Sequence, residues 1–189
     1  MSNSSVPVSR QLIHTRKISA EVFLREDGLW DIEASLLDTK GKDFSLSSGV
    51  CLKGEPIHNM TLCVTIDKEF NVLQAKVKAK SVPYQGHCEK IEPDYEKLVG
   101  LNLGRGFRSA IKELFSGVSG CSHMTELCSV LPTAAIQGFA GEVITVKERA
   151  DGQMPFQLNG CHALRTDGEA VKKYHPIWFG AQIKSKENS

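Results

Sequence analysis

Apolar and polar residues alternate with a period of two through the first third of this chain. Trp30, Ile32, Ala34 and Leu36 are separated by Asp31, Glu33 and Ser35, the pattern of a strand with one buried face. Val22 and Leu24 alternate in the same way ahead of the turn pair Asp27-Gly28, so residues 19–38 are predicted to form a β-hairpin. A second hairpin is predicted from Met60, Leu62, Val64 and Ile66 on one strand and Leu73, Ala75, Val77 and Ala79 on the next. Its turn falls at Asp67 to Phe70 and Pro83 ends it. Residues 38–54 between the hairpins are rich in Gly, Ser and Lys with weak periodicity, which predicts a loop or an irregular edge strand.

The period then becomes helical. Phe107, Ile111, Leu114 and Phe115 stand at i, i+4, i+7 and i+8, and Gly117 and Gly120 end the stripe. A second helix is predicted to begin at Cys121 or Ser122, with Met124, Leu127, Leu131, Ala134 and Ala135 inward and Pro132 kinking or breaking it. Val143 to Lys147 predicts one more short strand. From Asp151 the chain reads as loop, anchored by Cys161-His162 and by Ile177, Trp178 and Phe179. Strands first and helices later indicate an α+β fold: an antiparallel sheet built from two sequential hairpins, with helices on one face. The expected organisation is an N-terminal arm over 1–18, an α+β domain over 19–150, and a C-terminal extension over 151–189 packed on that domain.

Bulk composition narrows the partners. A formal net charge of +1 gives no general attraction to nucleic acid or to an anionic membrane. Lys76, Lys78 and Lys80 share a parity and are expected on the wet face of their strand. Residues Met1 to Arg10 are Ser-rich without an apolar segment, so no signal peptide is expected, and no apolar run is long enough to span a bilayer. A cytoplasmic location is expected by default. The six cysteines are then expected to be thiols or metal ligands rather than disulfides.

The chemistry-bearing residues fall at segment junctions. Gly120-Cys121-Ser122-His123 opens the second predicted helix, where free backbone N–H groups and the helix dipole favour a thiolate. His123 is placed to take a proton or complete a metal site. His58 precedes the strand from Met60, Cys88 with His87 follows the strand that ends near Pro83, and Cys161-His162 lies in the C-terminal segment. Imidazole and thiolate are the ligands that zinc and iron–sulfur centres use, but no Cys-x-x-Cys knuckle is present. Cys63, mid-strand, and Cys128, near the helical stripe, read as core residues. Asp31, Glu33 and Asp38 could offer a general base, but acidic residues on a strand are usually its wet face, and they are read as that.

His14-Thr15-Arg16, Arg25-Glu26-Asp27-Gly28-Leu29-Trp30-Asp31-Ile32-Glu33-Ala34, Asp38-Thr39-Lys40, Pro56-Ile57-His58-Asn59-Met60 and Thr65-Ile66-Asp67 come in the order of a bacterial family catalogued as domain of unknown function 2889. Gly120-Cys121-Ser122-His123, Glu126-Leu127, Pro132-Thr133-Ala134-Ala135 and Cys161-His162-Ala163 continue the match. The chain resembles that family over nearly its whole length, with Asn59 where Asp is expected. The order of elements also resembles iron–sulfur scaffold proteins of the NifU and IscU kind, which implies an IscU-like fold with ligand stations at His58-Asn59, Cys88, and Cys121 with His123. The first station lacks a cysteine, and Cys-Ser-His replaces a His-Cys pair.

The leading functional expectation is a metal-dependent enzyme acting on a small molecule, with zinc or iron held by His58, Cys88, Cys121 and His123 and with Cys121 and His123 as catalytic residues. Cys161 and His162 are possible additions to that site. The alternatives are a protein that binds or scaffolds a metal or iron–sulfur centre, and a metal-free enzyme with Cys121 as nucleophile.

Overall fold

The computed structural model describes residues 8–144 and 152–181. The chain forms two compact units, Met1–Gly138 and Phe139–Ser189. The first is α+β. Its sheet has four antiparallel strands in the order β1-β2-β5-β6, where β1 is His14–Leu24, β2 Trp30–Lys40, β5 Pro56–Ile66 and β6 Val72–Ser81. Both predicted hairpins form, and the first is longer at each end than the apolar alternation shows. The segment between them is not plain loop. After β2 it folds into a small separate hairpin, β3 Phe44–Leu46 with β4 Gly49–Cys51.

One face of the large sheet carries the core. Trp30, Ile32, Ala34 and Leu36 on β2 and Met60, Leu62, Val64 and Ile66 on β5 are all buried. On β6 the inward residues are Val72 and Ala75, buried, and Val77 and Ala79, half-buried, whereas Leu73, predicted to point inward, is 42% exposed. The cause is a register shift between Thr65 and Ile66, which pairs Ile66 with Val72 and Thr65 with Gln74. Leu73 is the extra residue of that bulge and is turned out to solvent. Lys76, Lys78 and Lys80 are exposed, as the alternation predicts.

A run of 3-10 turns, Cys88–Leu98, packs along β6. It borders that edge: Glu92 accepts a hydrogen bond from the Ala79 N–H, and Val72 exchanges backbone bonds with Gly100 and Leu101. Helix α1, Phe107–Phe115, buries Phe107, Ile111 and Phe115. Helix α2, Ser122–Phe139, buries Met124, Leu127, Cys128, Leu131 and Ala135 and runs unbroken through Pro132. The proline does not end it because Leu131 and Ala135, on either side, hold that face in the core. Gly138 lets α2 approach β1: a Cβ there would lie 2.5 Å from Val22 Cγ1.

In the second unit α3, Glu169–Tyr174, follows a short 3-10 turn at His162–Leu164. Leu158, Thr166 and Val171 are buried, and Asn159 Oδ1 accepts from the Thr166 N–H. The predicted anchors Ile177 and Phe179 are 65% and 44% exposed instead. Of the expected strand at Val143 to Lys147, Ile144 makes a single bridge to Ala140, and residues 145–147 lie outside the described residues. No described helix is long and apolar enough to cross a membrane.

Candidate metal centre

The inner face of the sheet changes character at one end. Along β2 the even-numbered residues point inward, and the next one after Leu36 is Asp38, only 1% exposed. Its cross-strand neighbours are Arg16 on β1 and His58 on β5. Three polar residues thus form a transverse row, Arg16–Asp38–His58, where the apolar rows stop. The first turn of α2 brings His123 and Glu126 to this row.

Asp38 is the hub. Arg16 grips it with two hydrogen bonds, Nε to Oδ1 at 2.8 Å and a terminal nitrogen to Oδ2 at 2.7 Å. His14 Nε2 lies 3.3 Å from Oδ1. His58 Nδ1–H donates to Oδ2 at 3.0 Å, and His123 Nε2 stands 3.7 Å from the same oxygen. The His58 and His123 rings stack with centroids 3.7 Å apart. The other terminal nitrogen of Arg16 bonds Glu126, which ties β1 to α2. Burial pushes the Asp38 carboxyl up, but the Arg16 guanidinium and the His58 hydrogen bond outweigh it and hold the group below the usual carboxylate range. Burial lowers His58, and the positive charge of Arg16 adds to that, so Asp38 does not restore it and the imidazole stays neutral at pH 7.

Cys121 stands behind His123. Its Sγ lies 3.9 Å from His123 Nδ1, the ring nitrogen opposite the one that faces Asp38. Ser122 Oγ is 3.5 Å from the same nitrogen. Burial raises the Cys121 thiol, but the His123 contact and the backbone N–H groups of Met124 and His123 prevail and lower it. The buried Tyr95 hydroxyl fixes the start of α2: it accepts from the Cys121 N–H and donates to the Cys121 carbonyl, both at 3.0 Å. Gly120 leaves no room for a side chain, since a Cβ would fall 2.5 Å from the Phe115 carbonyl oxygen.

Asp38, His58 and His123 offer ligand atoms that all lie within 4.8 Å of one another, and no other such group occurs among the described residues. Of the residues expected to hold a metal, His58 and His123 come together, Cys121 lies beside them, and Cys88 is not part of the group. All six cysteines are free, with Cys128 buried, Cys63 half-buried on the outer face of the sheet and Cys161 exposed. His162 is exposed in the second unit. Asp38, a possible general base assigned by the sequence to the wet face, is instead buried at the centre of the group. Its even parity, continuing Trp30, Ile32, Ala34 and Leu36, is the clue that places it inside.

A family model described as Protein of unknown function (DUF2889) matches residues 14–137. The chain belongs to this family. A comparison with curated proteins and one with solved structures each gave no match. The DUF2889 match contains every member of the cluster, from His14 to Glu126, and leaves Cys161 and His162 outside. Those cluster residues sit in the short motifs through which the sequence resembles the family.

Proposed function

We propose that the chain holds one divalent transition-metal ion, zinc or iron, on Asp38, His58 and His123, and uses it as the centre of an enzyme acting on a small molecule. One observation carries the reading: Asp38 Oδ2 lies 3.0 Å from His58 Nδ1 and 3.7 Å from His123 Nε2. Two ligands ~2.1 Å from a common ion, 90–120° apart, are separated by about 3.0–3.6 Å. The proton now shared by Asp38 and His58 is thus what a cation would replace. Two imidazoles and a carboxylate serve catalytic zinc with a position left for water, and non-haem iron with more left open.

The surroundings favour a cation. Two carboxylates, Asp38 and Glu126, face the single guanidinium of Arg16 there. Arg16 holds both carboxylate oxygens and His14 lies beside Oδ1, which fixes the carboxylate's orientation. A Cys121 sulfur accepting from His123 Nδ1–H leaves the Nε2 lone pair facing Asp38, the outer support that metal-bound histidines use. Cys121 is then a positioning residue rather than a ligand.

A second reading has its own support. Cys121 Sγ, the His123 ring and Asp38 are in the order nucleophile, base and orienting carboxylate, with a lowered thiol at a helix start. An iron–sulfur centre has the least support, because the cysteines do not gather at the site. Anaerobic titration of metal-stripped protein with Co²⁺ separates these. The metal reading expects one equivalent with weak d–d bands and no thiolate charge-transfer band, abolished by His58→Ala and by His123→Ala and kept in Cys121→Ser. No uptake, together with fast alkylation of Cys121 that slows in His123→Ala, replaces it with the thiol reading.

A further inference from the structure

The two edges of the large sheet are treated differently. On β6 the Ala79 N–H is bonded by Glu92 and the Val72 groups by Gly100 and Leu101, and the run Cys88–Leu98 packs along the strand between them. At the other edge stands β1, an eleven-residue strand that pairs only with β2 among the described residues. Native sheets rarely leave so long an edge unprotected. Gly41 N–H donates to the Ile13 carbonyl, which sets the hydrogen-bonding phase: odd-numbered residues of β1 bond to β2. His14, Arg16, Ile18, Ala20, Val22 and Leu24 therefore turn their N–H and C=O groups outward.

We propose that β1 pairs antiparallel with β1 of a second copy of this chain, about a two-fold axis at Ser19, joining two four-stranded sheets into one. Three features fit this register, and the last sets it apart from its neighbours. Ser19 is the midpoint of His14–Leu24, so the strands overlap from end to end, Ile18 opposite Ala20 and Arg16 opposite Val22. The outward-bonding residues then meet only one another. Lys17 falls opposite Glu21 of the other copy, in a close pair that is not hydrogen-bonded, twice across the axis. A shift by one step to either side, which the hydrogen-bonding phase also permits, pairs Lys17 with Ser19 or with Phe23 and loses both charge pairs.

The charges within one chain point the same way. Glu21 lies directly opposite Glu33 on the outer face of the sheet, an unfavourable like-charge pair. Neither Lys17 nor Glu21 has an ion-pair partner among the described residues. Lys17 of the second copy supplies the missing cation beside the two glutamates. On the inner face Ala20 is exposed and Ile18 and Val22 are half-exposed, although β2 beside them is sealed. The proposed pairing sets Ile18 and Ala20 of one copy against Ala20 and Ile18 of the other and covers them.

The test is a charge swap read by sedimentation equilibrium on the full chain over low to high micromolar concentration. Wild type is expected to dimerise reversibly. Lys17→Glu and Glu21→Lys should each weaken the dimer about ten-fold or more, and the double variant K17E/E21K should restore it. Circular dichroism confirms that each variant folds. As an independent check of register, Ser19→Cys under mild oxidation should give a covalent dimer joined at position 19, as shown by peptide mass analysis, with wild type as the control for the native cysteines. A chain that stays monomeric throughout overturns the proposal. So does a dimer indifferent to both single swaps, or one not restored by the double swap. None of these outcomes bears on the metal reading, whose ligands lie on β2, β5 and α2.

Discussion

Asp38 sits at a position whose parity belongs to the core, and its consequences are those of a buried charge. The carboxylate is tolerated because Arg16, His14 and His58 meet both oxygens. Asp38→Asn removes the charge and leaves Arg16 with Glu126 as its one carboxylate partner, so it should cost about 1–3 kcal/mol in urea unfolding. Metal-free protein should also lose stability as pH falls. The His58 pKa is lowered on folding, so the unfolded chain binds its proton first, and stability declines as pH drops below about 6.5. The lowered Asp38 pKa adds a further loss below about pH 4, with the same sign. Urea midpoints measured from pH 8 to 5 should show the first decline in wild type and lose most of it in His58→Gln. At this scale the sequence was informative about residue type and less so about face. His58 and His123 stood out because imidazoles at segment junctions are conspicuous. Asp38 did not, because acidic residues at strand ends are common in solvent and its partners are 22 residues before it and 20 after.

At the scale of elements, the geometry depends on how α2 begins. Tyr95, from the 3-10 run beside β6, caps the Cys121 backbone and stacks on Phe115 with ring centroids 4.3 Å apart. Gly120 allows the chain to pass the Phe115 carbonyl. Gly120→Ala should therefore cost about 1–3 kcal/mol by overpacking and, by moving His123, weaken Co²⁺ binding, read in the same titration. Tyr95→Phe should cost about 1–3 kcal/mol by orphaning the Cys121 N–H. The strands and both main helices were legible because their periods of two and 3.6 run unbroken over several residues. The failures occurred where tertiary structure alters the period. The bulge at Leu73 reverses one side chain, the small hairpin at Phe44–Cys51 has little apolar alternation, and packing on both sides carries α2 through Pro132.

For the molecule as a whole, the family match and the cluster coincide in the first unit. Residues separated by more than a hundred positions, Arg16 and Glu126, meet there because β1 and α2 border the same end of the sheet. Such convergence cannot be read from local spacing, though the family motifs had gathered the same residues in order. The central claim is that Asp38, His58 and His123 form a metal site. Elemental analysis of protein purified anaerobically and dialysed with limiting Zn²⁺ or Fe²⁺, beside Asp38→Asn and Cys121→Ser, tests it most directly. One ion per chain in wild type and in Cys121→Ser, and none in Asp38→Asn, is the predicted result. No stoichiometric metal in wild type, or metal retained in full by Asp38→Asn, would contradict it.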